Sequence, residues 1–432
     1  MTPRRTQPGA VLFVAGAAGV ASLSRLWFAG RGILADSLWA EDGLHAICAE
    51  RHGVLRCAIE PYAGFLHVLP RLLGGLVAAF PVARWALASN LLAAACAGAV
   101  AAAAWVIATR ARLPRFGACA LAAIPVAHPI LAIESVNSIS NLYVPLLYLV
   151  ALSVALPTIL EEIGPVAAGA AAALITLSVP IAVLAVIPLA LQRLRGSTSR
   201  RLLFGVGVGA LVGATCQVAA MLTTDEPRIV ALERARLVAW IRLSPSAVVS
   251  MLPSLSFSDA RVFEDPLPLG DLGQAALCGL LILGAAACAC SREVYVRAAG
   301  IMACLGLAVS AVSSMLLGPT TRYLVWLALP AAAALLLLIQ SRGLLGMPLR
   351  NAAAALVVVL LWAASWPATS TRSSVGYSWT EVLGAARTSC SVSGVREVPL
   401  TFAPSWPSAQ VVLPPQFDNR VECRTVERVT GP

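Results

Sequence analysis

Asp36, Glu41 and Asp42 fall within seven residues in a chain that has only 21 acidic residues among 432. They lie in Asp36-Ser-Leu-Trp-Ala-Glu-Asp-Gly-Leu-His45, directly after the first long apolar run and flanking Trp39. Ionised groups at a bilayer boundary are costly to place and point to function by default. A carboxylate pair can take a proton from a hydroxyl, because a neighbouring negative charge and partial desolvation make one member a better base. The plain reading is that Glu41 and Asp42 cap a helix beginning at Gly43, since acids favour helix N-termini.

Other polar groups flank later apolar runs. Arg71 follows Pro61-Tyr-Ala-Gly-Phe-Leu-His67-Val-Leu-Pro70; Glu134, Asn137 and Asn141 share one short turn; Arg322 and Tyr323 follow Gly-Pro319-Thr-Thr. Arginine presents a planar fork suited to phosphate oxygens. Carboxylate base plus arginine is the chemistry needed to move a sugar from a lipid phosphate to a hydroxyl. Arg71 and Arg322 can equally be read as interfacial anchors, and Glu134 with Asn137 as an ordinary polar turn. His45, His52, His67 and His128 read as structural.

The elements that must position these groups are transmembrane helices. Hydrophobic residues make up 59% of the chain and charged residues 12%, against about 45–50% and about 25% in soluble domains. All 31 basic residues are arginine, a compositional bias that weakens any argument from Arg at a single site. The first run, residues 10–30, lacks a small-residue cleavage site and reads as a retained helix, not a signal peptide. Further candidate spans are 64–83, 85–109, 116–133, 141–158, 165–191, 201–222, 272–290, 298–317, 323–340 and 351–368. A span needs about 20 apolar residues.

Arginines cluster in four short loops: 110–115, 193–201, 292–297 and 342–350. One topology makes all four cytoplasmic. It requires 61–83 to be a helix along the outer interface, because His67, Pro70 and Arg71 suit a span poorly. It also requires 165–191 to be a hairpin of two half-helices broken at Leu-Ser178-Val-Pro180. The expected fold is an all-α polytopic bundle of about 10–11 transmembrane helices. Residues 1–370 form the membrane domain, with outer loops at 31–84 and 223–271. The second loop carries an amphipathic helix around Val230–Ile241. Residues 371–432 form an outer tail with short strands over Val395–Phe402 and Ala409–Leu413.

Seven of the eleven cysteines fall in or beside predicted spans. The other four form two pairs on the outer side, Cys48 with Cys57 and Cys390 with Cys423. An oxidising exterior predicts a disulfide for each. No cysteine or histidine spacing indicates a metal site, and no cofactor is expected.

Glu41-Asp42-Gly-Leu-His-Ala-Ile-Cys-Ala, followed by Pro61-Tyr-Ala-Gly-Phe-Leu-His-Val-Leu-Pro-Arg71, resembles the start of GT-C fold glycosyltransferases. These include protein O-mannosyltransferases and aminoarabinose–lipid A transferases. The resemblance covers about residues 10–200 by topology. It implies a GT-C-like bundle, a polyprenyl-phosphate sugar donor, metal-independent and inverting transfer, Glu41 or Asp42 as base, and Arg71 at the donor phosphate. Arg322-Tyr323 is similar to late Arg-Tyr elements in such families. Two departures stand out: the acidic pair reads Glu-Asp, and Leu-Ser178-Val-Pro replaces a basic residue often found at the helix break.

The resulting expectation is a multi-pass cell-membrane glycosyltransferase with a cytoplasmic N-terminus and an extracytoplasmic tail. Its partners would be membrane lipids, a lipid-linked donor and an extracytoplasmic glycan, lipid or protein acceptor, with no nucleic acid. A transporter or flippase is the first competing reading, but the spans are nearly free of charge and no second copy of the broken helix is found. An envelope-assembly protein acting through its tail is the other.

Overall fold

The computed structural model describes residues 7–29, 36–38, 41–62, 64–127, 137–224, 234–249, 270–317, 321–341, 346–375, 378–400 and 419–427. Almost all of it is helix. α1 (Pro8–Ala29) is followed by α2 (Glu41–His52), α3 (Val54–Ile59) and α4 (Val68–Ala78). Next come α5 (Trp85–Arg110), α6 (Arg115–Ala127), α7 (Tyr143–Ala155) and α8 (Thr158–Ser178). A 3-10 segment, Pro180–Ala185, leads into α9 (Val186–Leu194), and α10 (Arg200–Leu222) follows. Then come α11 (Arg234–Val249), α12 (Gly270–Ala289), α13 (Val294–Leu317), α14 (Thr321–Gln340) and α15 (Met347–Val375). The tail holds α16 (Trp379–Cys390), β1 (Glu397–Pro399), β2 (Arg420–Glu422) and α17 (Cys423–Glu427).

Five helices among the described residues are long and apolar enough to cross a membrane: Val82–Arg110, Thr158–Ser178, Arg200–Leu222, Leu272–Ala289 and Val294–Met315. Shorter apolar helices accompany them. The architecture is all-α and suited to a bilayer. Alanine and glycine fill the contacts, as expected where helices associate by close approach and not by exclusion from water.

The four arginine-rich turns gather at one end of the bundle. Arg110 pairs with Glu162, and the Glu161 carboxylate accepts from Ser199 N at 2.7 Å and Ser199 Oγ at 2.8 Å. Arg195 Nη1 donates to the Ala289 carbonyl at 2.6 Å, and Tyr295 Oη to the Ala111 carbonyl at 3.3 Å. Arg350 Nη1 reaches the Gln340 carbonyl at 3.1 Å.

The anticipated break is present. Gly164 at φ 82° separates a short first turn from a helix that opens at Pro165 and stops at Ser178, and the chain returns through Pro180–Ala185 and α9. Polar side chains meet the backbone exposed by the break. Gln217 of α10, 2% exposed, donates through Nε2 to the Thr176 and Leu177 carbonyls at 3.1 and 2.8 Å. The same amide brackets Leu66, donating to its carbonyl at 3.0 Å and accepting from its N–H at 2.8 Å. Ser178 Oγ accepts from Leu69 N at 3.0 Å. The break is therefore the socket for the start of α4.

At the opposite end from the arginine turns lies a head built from α2, α3, α4 and the tail. The helix expected over 61–83 is confined to Val68–Ala78, because Tyr62 and Phe65 close a tight turn through paired backbone bonds of 2.7 and 3.0 Å. The tail is part of this head. Leu38, Ile47, Val77, Val82 and Trp85 share one core with Trp379, Leu383, Val398, Val421 and Val426. Trp85 and Trp379 stack at 6.5 Å, and Trp379 Nε1 donates to the Val82 carbonyl at 2.9 Å. Of the expected tail strands, β1 falls within Val395–Phe402, while 409–413 lies outside the described residues. The antiparallel partner of β1 is β2.

The amphipathic helix read around residues 230–241 corresponds to α11, whose first described residue is Arg234. It packs on α13, with Trp240 Nε1 donating to Ser310 Oγ at 3.1 Å.

Candidate active site

Asp42 is fully buried. Its Oδ1 accepts from Ser138 Oγ at 3.0 Å, Ser140 N at 2.8 Å and Ser140 Oγ at 2.6 Å; its Oδ2 accepts from Ser89 Oγ at 2.9 Å and Ile139 N at 3.1 Å. At least five donors thus converge on one carboxylate, beyond the usual complement of about four lone-pair directions. Asp42 lies in the first turn of α2, and these bonds reach well beyond that helix. It ties α2 to the start of α5 and to the turn before α7.

Glu41 begins α2 and is half-buried, with no side-chain partner among the described residues. The two adjacent acids therefore have different surroundings. Asp42 faces inward and is saturated, whereas the half-buried Glu41 carboxylate makes no hydrogen bond or ion pair among the described residues.

The turn around Asp42 is itself fixed by asparagines. Asn137 adopts φ 52°, a left-handed conformation that Asn tolerates better than most residues. Its Nδ2 donates to the Ser22 carbonyl at 2.9 Å and its Oδ1 accepts from Ser22 Oγ at 2.7 Å, joining the turn to α1. Asn141 Nδ2 donates to Ser138 Oγ at 3.2 Å, orienting a hydroxyl that serves Asp42. Asn90 Nδ2 holds the Ser37 carbonyl at 3.0 Å, which anchors the segment preceding Glu41.

Arg71 is fully buried and donates through Nη1 to the Cys57 and Glu60 carbonyls, so it ties α4 to the end of α3. Burial lowers its pKa to about 10 against the opposing pull of Glu60 and Tyr62, leaving it charged at neutral pH. His45, 1% exposed, lies among Tyr62 and His67 at ring separations of 6.5 and 6.4 Å. Burial, then Arg71 and His67, hold its pKa well below the ordinary histidine value. The contact is possible because Gly74 of α4 lies against His45: a Cβ at Gly74 would come within 2.5 Å of the His45 Cβ.

Both expected disulfides form. Cys48–Cys57 joins α2 to α3, and Cys390–Cys423 joins α16 to α17. Asp36 sits at the start of α16, accepting from Thr380 N and Oγ1 at 2.6 Å each and from Ser378 Oγ at 2.5 Å. Arg51 pairs with Glu397 at 3.0 Å and Thr425 Oγ1 donates to Glu50 at 2.6 Å, so the tail clasps α2 directly.

Below the Asp42 turn the helices leave a narrow apolar crevice of about 20 Å³, room for about one water molecule. Val144, Tyr148 and Ala151 of α7 form one wall, with Ile181, Val309 and Trp326 among the residues opposite. Its first lining residue, Val144, comes four residues after Ser140. Tyr143 meets Trp326 edge-on at 5.7 Å.

Of the residues expected at the site, Asp42, Glu41, Asn137 and Asn141 are together, and Arg71 belongs to the adjoining α3–α4 junction. Arg322 and Tyr323 lie on the first turn of α14, four and three residues before Trp326; their side chains, like the whole of Glu134, lie outside the described residues. Ser89, Ser138, Ser140 and Gln217 were not anticipated. Ser138-Ile-Ser140 directly after Asn137, and Ser89-Asn90 in an alanine-rich helix, are the sequence signals that could have found three of them. Comparison with protein-family models and with curated proteins returns no match to this chain.

Proposed function

We propose that the chain is a membrane glycosyltransferase that moves a sugar from a polyprenyl-phosphate donor to an extracytoplasmic acceptor, with Glu41 as general base. The observation that carries this reading is the division of labour in the acidic pair. Asp42 spends its lone pairs organising the turn, and Glu41 beside it retains a carboxylate able to accept a proton. An isoprenoid chain would lie in the bilayer against the apolar helices that start at the same turn, so a ligand with a polar head and an apolar tail suits the combination. The GT-C resemblance of the Glu41–Arg71 stretch supports the same assignment.

In this reading the head faces the exterior and the arginine turns face the cytoplasm, as the positive-inside bias requires. The acceptor hydroxyl gives its proton to Glu41 as its oxygen bonds to the anomeric carbon, and the polyprenyl phosphate leaves with the bonding electrons. Arg322, at the head end of α14 above Trp326, is the cation proposed to meet that phosphate. Arg71, bonded to the Cys57 and Glu60 carbonyls, holds α3 and α4 together.

The test is transfer of labelled sugar from a polyprenyl-phosphate donor by the purified full-length chain, with the acceptor fraction taken from cell envelope. Glu41→Gln should lower the rate by about 10²–10⁴-fold, the usual contribution of a general base, while leaving the thermal midpoint unchanged. Wild-type-level transfer by Glu41→Gln would remove the assignment. Absence of any transfer by the wild-type chain, across donors and envelope fractions, would remove the enzyme reading.

A further inference from the structure

The arginine-rich end of the bundle holds a second polar cluster, remote from Asp42. Gln340, the last residue of α14, is 1% exposed, and among the described residues neither its Oε1 nor its Nε2 has a hydrogen-bond partner. Its side chain lies on the first turn of α6: a Cβ at Gly117 would sit 2.9 Å from the Gln340 Cδ and 3.1 Å from its Oε1. The first helical bond there runs from Ala118 N to Pro114 O at 2.9 Å, so the N–H groups of residues 115–117 precede the intrahelical ladder. From α15, Arg350 donates to the Gln340 carbonyl at 3.1 Å while its Nε is buried without a partner. The Oδ1 of Asn351 is likewise buried and unpartnered.

Buried polar atoms are almost always hydrogen-bonded, so the unpartnered amide of Gln340 at the start of α6, with unpartnered atoms on Arg350 beside it and on Asn351 next in the chain, marks a place for a polar ligand. The donors are an amide, a guanidinium and the positive end of α6, a combination that selects anionic oxygens. The acceptors, Gln340 Oε1 and Asn351 Oδ1, call for a hydroxyl. A phosphate group carrying or neighbouring a hydroxyl supplies both. Around the cluster, Phe116, Met347 and Leu349 are exposed apolar side chains at 61%, 64% and 56%. Such a rim suits the acyl region of a lipid.

We propose that Gln340, Arg350 and Asn351, with the first turn of α6, form a binding site for an anionic phosphate group. Its two possible sources are the headgroup of an anionic phospholipid and free phosphate. Neither depends on the transferase reading.

The experiment is thermal unfolding of the full-length chain in neutral detergent, titrated with phosphatidylglycerol, phosphatidylcholine, sodium phosphate, or sodium chloride at matched ionic strength. A saturable rise in midpoint with phosphatidylglycerol alone identifies the headgroup; a rise with phosphate as well shows that the free anion suffices. In either case Gln340→Leu and Asn351→Leu should each weaken the apparent affinity by about tenfold, the effect of losing one hydrogen bond to a charged group. Should Gln340→Leu not fold, Asn351→Leu alone carries the comparison. An equal rise with phosphatidylcholine, no rise beyond the chloride control, or affinity unchanged in every variant that folds would overturn the site.

Discussion

The carboxylate of Asp42 accepts the backbone N–H of Ser140 at 2.8 Å across 98 residues of chain. This contact joins the loop after the first helix to the turn that starts α7, and Ser89 adds α5 to the same carboxylate. A buried charge held by many donors is harder to replace than an exposed one. Removing one partner of such a network costs about 3–5 kcal/mol.

Asp42→Asn should therefore lower stability strongly, because its amide nitrogen would face donors where an acceptor is required. The expected loss is about 3 kcal/mol or more, seen as a lower thermal midpoint with faster proteolysis of the head. Glu41→Gln should leave the midpoint within about 0.5 kcal/mol of wild type. Equal stability of the two variants would show that Asp42 has no organising role.

Gln217 offers a second test. One amide serves Leu66 on both its backbone groups and the carbonyls of Thr176 and Leu177 at the helix break. Gln217→Leu keeps the volume but strands those groups, at about 1–3 kcal/mol for a buried unsatisfied polar group. Amide exchange should accelerate around Leu66–Leu69 and in the segment Pro180–Ala185, with little change in α13 and α14. Uniform acceleration throughout the bundle would indicate a global effect and not a local clamp.

Much of this organisation is legible in the residues, and the limits have physical causes. The arginine loops show because charge cannot hide in an apolar sequence, and Ser178-Val-Pro180 shows because proline ends a helical hydrogen-bond ladder. The disulfide pairs follow from four cysteines lying apart from the apolar runs. The role of Asp42 does not show, since its partners lie at residues 89 and 138–140 and only folding brings them together. Gln217 is hidden in the same way within an apolar helix. α16 could have been found, because Ser378-Trp-Thr-Glu381 has capping-box spacing and Ser378 Oγ does accept from Glu381 N at 3.2 Å.

Acidification should loosen the head through His45. Its folded pKa is depressed well below 6.5 by burial, Arg71 and His67. The unfolded chain therefore binds more protons between the folded value and about 6.5, so stability falls as the pH drops through that window and is constant above it. The slope contributed by one histidine approaches about 1.4 kcal/mol per pH unit. His45→Gln should flatten the dependence of the midpoint on pH below about 6.5 relative to wild type. A variant with an unchanged acid slope would assign the effect to another group.

The two disulfides should differ in worth because they close loops of different length. Cys48–Cys57 spans 9 residues and Cys390–Cys423 spans 33. Loop-closure entropy gives about 3 kcal/mol for the first and about 4 kcal/mol for the second. Serine pairs at each position, with thermal unfolding followed separately by exchange in α2 and in α16, would measure both. Because Trp379 stacks on Trp85 and Thr425 bonds Glu50, loss of the tail bridge should also speed exchange in α2. Exchange in α2 that ignores the Cys390–Cys423 bridge would mean that the tail and the acidic loop unfold independently despite their shared core.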